Sequence, residues 1–165
     1  MATLITEKVD RQLANKNYYV TTENILPNRE GIKFPAQSFT TSKKVNIYQY
    51  NDILISNIRP YFKKIWLANH NGTRSGDVLD FRSKNESKLL QEYLYVVLQS
   101  DKFFNYVTAT SKGTKMPRGD KQAIMDYKFD LPSVEKQKEK SHYILILEKK
   151  IQLNNQINAN LLKLT

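Results

Sequence analysis

Cysteine is absent from the 165 residues of this chain, and histidine occurs only twice. The absence of thiols excludes disulfide bonds, a cysteine nucleophile and zinc sites with cysteine ligands. His70 and His142 lie far apart without carboxylates at metal-ligand spacing, so the sequence predicts neither a metal site nor a Ser-His-Asp triad. No apolar run approaches 18 residues and the N-terminus has no signal-peptide pattern, which predicts a cytoplasmic protein without a membrane segment.

Positive charge is the dominant property of the composition. The chain has 26 Lys and Arg against 16 Asp and Glu, giving a net charge of +10. These cations are spread along the chain and do not form a basic tail. A field of this sign favours nucleic acid as the partner over an anionic membrane, although basic composition also occurs in proteins where it serves solubility alone.

Two regions of the chain differ in pattern. Residues 1–132 mix short β-branched and aromatic segments with turns, which predicts an α+β domain. Residues 133–165 contain neither Gly nor Pro and predict one long α-helix that begins after Pro132, with Ser133 as its N-cap. Within the domain the pattern predicts strands at 18–22, 44–49, 52–58, 64–68 and 77–82, helices at 87–100 and 101–109, a brief helix capped by Asp120, and a final strand at 127–131.

The long helix carries an apolar stripe with asparagines within it. An isolated helix of this length needs a partner for such a face, and polar residues in a seam suggest a specified register. We expect pairing with another chain, and the alternative is that the helix folds back on its own domain. The predicted dimerisation residues are Ile144, Leu147, Ile151, Asn154, Ile157, Asn158 and Leu161.

Several loops of the domain combine cations with Gly, Pro or aromatic residues. The most basic is 111–121, which reads SKGTKMPRGDK and cannot form a regular helix or a central strand. Such a loop can surround phosphate oxygens, or it can be a solvated turn that is rich in lysine. The predicted DNA-binding residues are Arg29, Lys33, Arg59, Lys63, Lys64, Asn71, Arg74, Lys112, Thr114, Lys115, Arg118 and Lys121.

A nuclease is the catalytic alternative. Asp77 and Asp80, with Arg82 nearby, could form a carboxylate pair on a strand, which would need to converge on Mg²⁺ to cleave a phosphodiester. Short acidic and apolar strings of this kind are common, so we expect no nuclease activity.

Several strings, in order, resemble one target-recognition domain of a Type I restriction–modification specificity subunit. They are YVTTENILPNREG at 19–31, DILISNIRPYFKKIW at 52–66, residues 75–81, residues 111–131 with GTKMPRGDK, the helix entry DLPSVEKQ, and KIQLNNQIN. The resemblance implies a non-catalytic reader of double-stranded DNA. In that family one chain usually carries two such domains, and the long helix after each pairs antiparallel with the other.

The resemblance also implies partners and cofactors. Methyltransferase subunits would bind S-adenosylmethionine, and restriction subunits would bring ATP and Mg, so this chain is expected to need no cofactor. Loop 111–121 would be a phosphate anchor, with base choice in the loops around Arg29, Arg59 and Arg74.

This sequence departs from the family pattern in two respects. It has one domain and one helix, and it lacks the usual opening strand before its first turn. It is therefore expected to be a half-size subunit whose homodimer reads a split palindromic site, or a fragment of a longer chain. The alternative function is an interaction protein that pairs with another specificity subunit through its helix and modulates it without strong DNA binding of its own.

Overall fold

The computed structural model describes residues 1–164, with side chains at 155, 159, 163 and 164 left out of the description. Thr165, which ends the predicted helix 133–165, lies outside the described residues. The strands are β1 Ala2–Leu4, β2 Lys8–Asp10, β3 Tyr19–Val20, β4 Lys44–Tyr48, β5 Ile53–Ser56, β6 Ile65–Leu67, β7 Gly72–Arg74 and β8 Val78–Ser83. The helices are α1 Gln91–Leu98, α2 Asp101–Ala109, α3 Lys121–Met125 and α4 Val134–Leu164.

The strands form two four-stranded sheets. The first has the order β1-β8-β5-β6 and is antiparallel throughout. The second has the order β2-β4-β7-β3, in which β3 and β7 run parallel. This arrangement confirms the predicted mixture of sheet and helix followed by one long C-terminal helix.

The first sheet lies between the helices and the second sheet. Successive residues of a strand point to opposite faces. Ile53 and Phe81 therefore pack with Leu94 and Phe103 of α1 and α2, while Leu54 faces the other way, into a cluster with Tyr48 of the second sheet. The strands β5 and β8 are buried on both faces. Because these strands are held from both sides, the loops at their ends have fixed positions.

Two strand expectations were wrong. Residues 127–131 form no strand, because Tyr127 packs against the rings of Phe103 and Tyr106, at centroid distances of 5.2 and 5.0 Å, while β1 occupies the sheet edge beside β8. The N-terminal residues, expected to lack an opening strand, form both β1 and β2. These strands are three residues long, too short for a pattern of alternation to reveal them.

The N-terminal half of α4 is docked on the domain. The amide of Gln137, which is fully buried, accepts a hydrogen bond from the backbone N–H of Leu90 at 2.9 Å and donates to the carbonyl of Lys88 at 2.8 Å. Leu90 is the N-cap of α1 and has no side-chain cap of its own, so a residue of α4 satisfies an amide that the helix leaves unpaired. Within residues 1–164, no helix combines the length and apolarity needed to cross a membrane.

Candidate nucleic-acid interface

Three of the predicted basic loops lie side by side and are joined through their backbones. The backbone N–H of Arg29 donates to the carbonyl of Lys63 at 3.0 Å, which joins loop 27–33 to loop 57–64. The N–H of Arg59 donates to the carbonyl of Pro117 at 2.7 Å, which joins loop 57–64 to loop 111–121. These bonds bring segments from three distant parts of the sequence into one surface, called here the joined loop surface.

Asp101 holds two cations of this surface together. The guanidinium of Arg29 and the ammonium of Lys63 both bind Oδ1 of Asp101, the latter at 2.7 Å. These hydrogen bonds, that of Lys63 first, lower the pKa of Asp101 to about 2. The guanidinium of Arg29 also lies over the ring of Phe104, 5.8 Å from its centroid. Arg29 and Lys63 are therefore oriented before any ligand binds.

The backbone of these loops adopts an uncommon conformation. Asn28, Arg29, Arg59 and Lys63 have φ between 51° and 64°, in the left-handed region. Non-glycine residues in this region cost about 1–2 kcal/mol each, so they persist only where the surroundings hold them. Strained backbone of this kind clusters at binding sites, and here it occurs beside the predicted DNA contacts.

Loop 111–121 is a closed turn that packs against the end of β5. The N–H and carbonyl groups of Lys112 and Arg118 exchange two hydrogen bonds of 2.8 Å, and the N–H of Gly119 donates to the carbonyl of Asn57 at 3.1 Å. A Cβ at Gly119 would lie 2.7 Å from Oδ1 of Asn57, so only glycine allows this approach. Asp120 caps α3 as predicted, because its Oδ1 accepts from the N–H of Gln122 at 2.9 Å.

The side chains of this loop divide into two groups. Lys112 binds Asp120, and Arg118 lies 3.4 Å from Asp77, so both have carboxylate partners within the protein. The residues Thr114, Lys115 and Lys121 are exposed. The side chains of Lys112 and Arg118 are nevertheless 81% and 54% exposed, so all five predicted phosphate contacts of the loop face solvent.

Three predicted residues lie outside the joined loop surface or at its border. Lys33 is exposed and follows the loop of Arg29, whereas the ammonium of Lys64 donates to the carbonyl of Thr22 at 2.6 Å. Burial lowers the pKa of Lys64. Asn71 accepts a hydrogen bond from the N–H of Tyr50 at 2.7 Å, at the opposite end of the β5–β6 hairpin from Arg59.

The sequence predicted that Arg74 lies in a surface loop, and this prediction was wrong. It belongs to β7 and is only 4% exposed, because the layer between the sheets encloses it. Its guanidinium donates to the carbonyl of Val78 at 2.6 Å, to the carbonyl of Ile5, and to Asp80 at 3.5 Å. We therefore leave Arg74 out of the proposed DNA surface.

The carboxylates of the nuclease alternative do not converge. Asp80 is fully buried beside Arg74, while Asp77 lies beside Arg118 on the surface. Burial, and then repulsion from Asp52, raises the pKa of Asp80. Arg82 binds both oxygens of Asp52 at 2.7 Å. Among the described residues no group of three or more Asp, Glu or His is placed to hold a metal ion.

Asp101 was not among the residues predicted from the sequence, where its signal is weak. It follows Ser100, whose hydroxyl caps α2 by accepting from the N–H of Phe103 at 3.2 Å, so an acid there is ordinary for the first turn of a helix. Its role depends on two cations that lie 72 and 38 positions earlier in the chain. No local pattern reports such a contact.

A second surface lies on α4 and is apolar. The side of the helix that carries Gln137, Ser141 and Glu148 faces the domain, and Glu148 accepts a hydrogen bond from the hydroxyl of Tyr95 at 3.0 Å. Leu147 and Ile151, in contrast, are 56% and 55% exposed. The other predicted dimerisation residues lie along the same helix, where Ile144 is half-buried and Asn154, Ile157, Asn158 and Leu161 are exposed.

Known structures have a similar fold. The fold is similar to that of the HsdS subunit from Thermoanaerobacter tengcongensis, with a TM-score of 0.67 and 20% sequence identity over 94% of this chain and 42% of that one. A second similar structure comes from work on complex assembly and conformational transition of the type I R-M system. Its TM-score is 0.56 and its identity 11%, over 96% of this chain and 41% of that one. No curated protein matches the sequence significantly.

The chain thus spans about two fifths of the length of these similar structures. At these identities the structures establish the fold alone. The family follows from a separate match, between residues 2–163 and the family model described as the Type I restriction modification DNA specificity domain. Because that match covers almost the whole sequence, this chain belongs to the family of Type I restriction–modification DNA specificity domains.

Proposed function

We propose that this chain is a non-catalytic DNA-recognition subunit of a Type I restriction–modification system, and that it binds no cofactor of its own. The observation that carries the proposal is the joined loop surface. It holds Arg29, Arg59 and Lys63 in a set arrangement beside the exposed Lys115. Cations placed on rigid loops suit phosphate contacts, and arginines among them suit bidentate contacts to guanine.

The loops have different roles in this proposal. Loop 111–121 contacts phosphates through Lys112, Thr114, Lys115, Arg118 and Lys121, since these exposed groups lie on a turn that is packed tightly against the domain. Arg29 and Arg59 lie in the neighbouring loops and read bases. Lys33 and Asn71 are exposed at other edges of the domain and extend the contact to flanking phosphates or bases.

The apolar face of α4 supports the proposal of a homodimer. Leu147, Ile151 and Leu161 remain more than half exposed although an adjacent face of the helix is docked on α1. Two copies paired antiparallel through this face would carry two recognition domains related by a two-fold axis. Such a dimer reads a split palindromic site, because the symmetry of the protein sets the symmetry of the site.

The remaining partners in the proposal are the catalytic subunits. Methyltransferase subunits, with S-adenosylmethionine, dock on the dimer and modify the site that it selects. Restriction subunits that use ATP and Mg²⁺ join the same assembly.

The test is to assemble the methyltransferase with this chain and to sequence the positions that become methylated. We expect Arg59→Ala to change the methylated sequence, and Lys115→Ala to lower methylation equally at all sites while reducing the salt slope of DNA binding by about one. Lys84→Ala, an exposed lysine after β8, is the matched control and should change neither. Methylation at the same sites without this chain would overturn the proposal. DNA affinity that is negligible, together with tight binding to another specificity subunit, would favour an interaction protein.

A further inference from the structure

Five side chains of α4 follow one another at alternating spacings of four and three residues. They are Leu147, Ile151, Asn154, Asn158 and Leu161. This is the spacing of the a and d positions in a coiled coil. All five are exposed, so the domain of the same chain does not cover them. The two amides lie in the middle of the row, with apolar side chains on both sides.

We infer that two copies of α4 pair antiparallel in one register, in which Asn154 faces the partner's Asn158 and Ile151 faces the partner's Leu161. This inference rests on the homodimer proposed above and specifies its interface. In an antiparallel coiled coil each a position lies opposite a d position of the other helix. Asn154 and Asn158 flank residue 156 at equal distances, as do Ile151 and Leu161, so a single register satisfies both pairs.

In the neighbouring registers, the amides no longer face each other and Ile151 no longer faces the partner's Leu161. A shift by one heptad in either direction is the smallest change that keeps a opposite d, and it places Ile151 opposite the partner's Asn154, or Asn158 opposite the partner's Leu161. In the first of these registers both amides would face apolar side chains, and in the second Asn158 would do so, and in both the hydrogen bond between the paired amides is lost. Paired asparagines therefore select one register, as single buried asparagines do in other coiled coils.

The shape of the surface beside Ile151 gives independent support. An open apolar groove of about 520 Å³ lies there, bounded by Ile144, Leu147 and Ile151 of α4, by Val96 of α1 and by residues 28–30 of loop 27–33. In the inferred register the partner's Leu161 reaches the level of Ile151, where this groove opens. The end of one helix would thus contact the loop that carries Arg29 in the other copy. Dimerisation and DNA reading would then be linked through a direct contact.

Disulfide trapping tests the register well, since the natural chain has no cysteine. Single variants Ile151→Cys and Leu161→Cys are purified in reduced form, mixed, allowed to exchange subunits and oxidised mildly. We expect the mixture to form a covalent dimer, because facing positions lie within the Cα separation of less than about 7 Å that a disulfide requires. Either variant alone should not, since identical positions are then separated by ten residues, or about 15 Å, along the helix.

Two matched mixtures report the neighbouring registers. Ile151→Cys with Asn154→Cys, and Asn158→Cys with Leu161→Cys, should give little covalent dimer, because each pair is offset by about 10 Å in the inferred register. Strong trapping in either mixture would overturn the register. Trapping of Ile151→Cys with itself would indicate parallel helices and would also overturn it. The mass of the cysteine-free chain in solution is measured beside these mixtures, so that a monomer refutes the homodimer itself and a dimer without the 151–161 link refutes only the register.

Discussion

The backbone N–H of Arg29 donates a hydrogen bond to the carbonyl oxygen of Lys63 at 3.0 Å. Both residues have left-handed backbone conformations, and both side chains bind Asp101. Two loops from separate parts of the chain are therefore joined by backbone and by charge at the same place. This contact decides which predicted DNA-binding residues can act together.

Asp101→Asn should relax the sequence selectivity of DNA binding while raising affinity for random DNA. The change removes a negative charge and releases Arg29 and Lys63 from their shared carboxylate, so both cations gain freedom to contact phosphates. Fluorescence anisotropy with target and random duplexes over a range of salt concentrations measures both effects. Glu86→Gln, an exposed charge change in the loop after β8, is the control. Unchanged selectivity in Asp101→Asn would show that the carboxylate does not orient the two loops.

Gly119→Ala should destabilise the domain and weaken DNA binding together. The added Cβ would lie 2.7 Å from Oδ1 of Asn57 and 2.9 Å from Cδ1 of Ile124, so loop 111–121 must shift away from β5. Crowding of this kind typically costs about 1–3 kcal/mol in the free energy of unfolding. Urea denaturation provides the measurement, with Gly76→Ala as control because a Cβ there has no atom within 4 Å. Equal stability of the two variants would contradict the close approach.

Ile151→Asp should convert the proposed homodimer into a monomer, because it places a charge in an apolar seam. Light scattering during size-exclusion chromatography measures the mass of the particle. His142→Asp introduces the same charge nine positions earlier, on the opposite side of the helix at about 100° per residue, and should leave the mass unchanged. If Ile151→Asp kept the mass of the natural protein, Ile151 would lie outside the dimer interface.

Glu148→Gln should raise the stability of the protein at neutral pH and make no difference at acid pH. Burial raises the pKa of Glu148, outweighing the hydrogen bond from Tyr95 that lowers it. A carboxyl group whose pKa is raised in the folded state lowers the stability of the protein once it ionises. The loss develops as the pH rises from the pKa of the group in the unfolded state through its pKa in the folded state. Glutamine cannot ionise, so it escapes this loss, which we expect to be less than about 1 kcal/mol because Glu148 is only half-buried.

Thermal melting from pH 4 to pH 8 provides the measurement for Glu148→Gln. Glu139→Gln, on an exposed position of the same helix, is the control and should follow the natural protein throughout. A gain in stability at pH 4 as large as that at pH 7 would refute ionisation as its cause.

Local pattern was sufficient for the longest elements. Segments rich in β-branched and aromatic residues predicted β5 and β8, and Asp120 was recognised as the cap of α3. The long helix followed from a run without Gly or Pro. Each of these signals lies within a few residues of the element it describes. The three-residue strands β1 and β2 and the extended segment at 127–131 depend on which strand reaches a sheet edge first, and no short window contains that information.

In the candidate site, too, local sequence predicted some features and missed those that depend on distant contacts. The loops of Arg29, Arg59 and loop 111–121 were identified by charge and turn residues, but Arg74 was wrongly placed among them. Its neighbours in sequence look like a surface turn, whereas β7 inserts it between two sheets beside Asp80. A buried arginine and an exposed one have the same local sequence when the partner carboxylate lies elsewhere in the chain.

Residue pattern by itself determined the basic character, the α+β domain, the single long helix and the family strings, because each is a property of composition or of neighbouring residues. Tertiary structure alone decided that three basic loops form one surface, that Asp101 binds two of its cations, and that one face of α4 is docked while an adjacent apolar face is exposed. Those facts depend on contacts between residues up to 72 positions apart. Such contacts arise from burial and hydrogen bonding in the folded chain, where separation along the sequence no longer limits which groups meet.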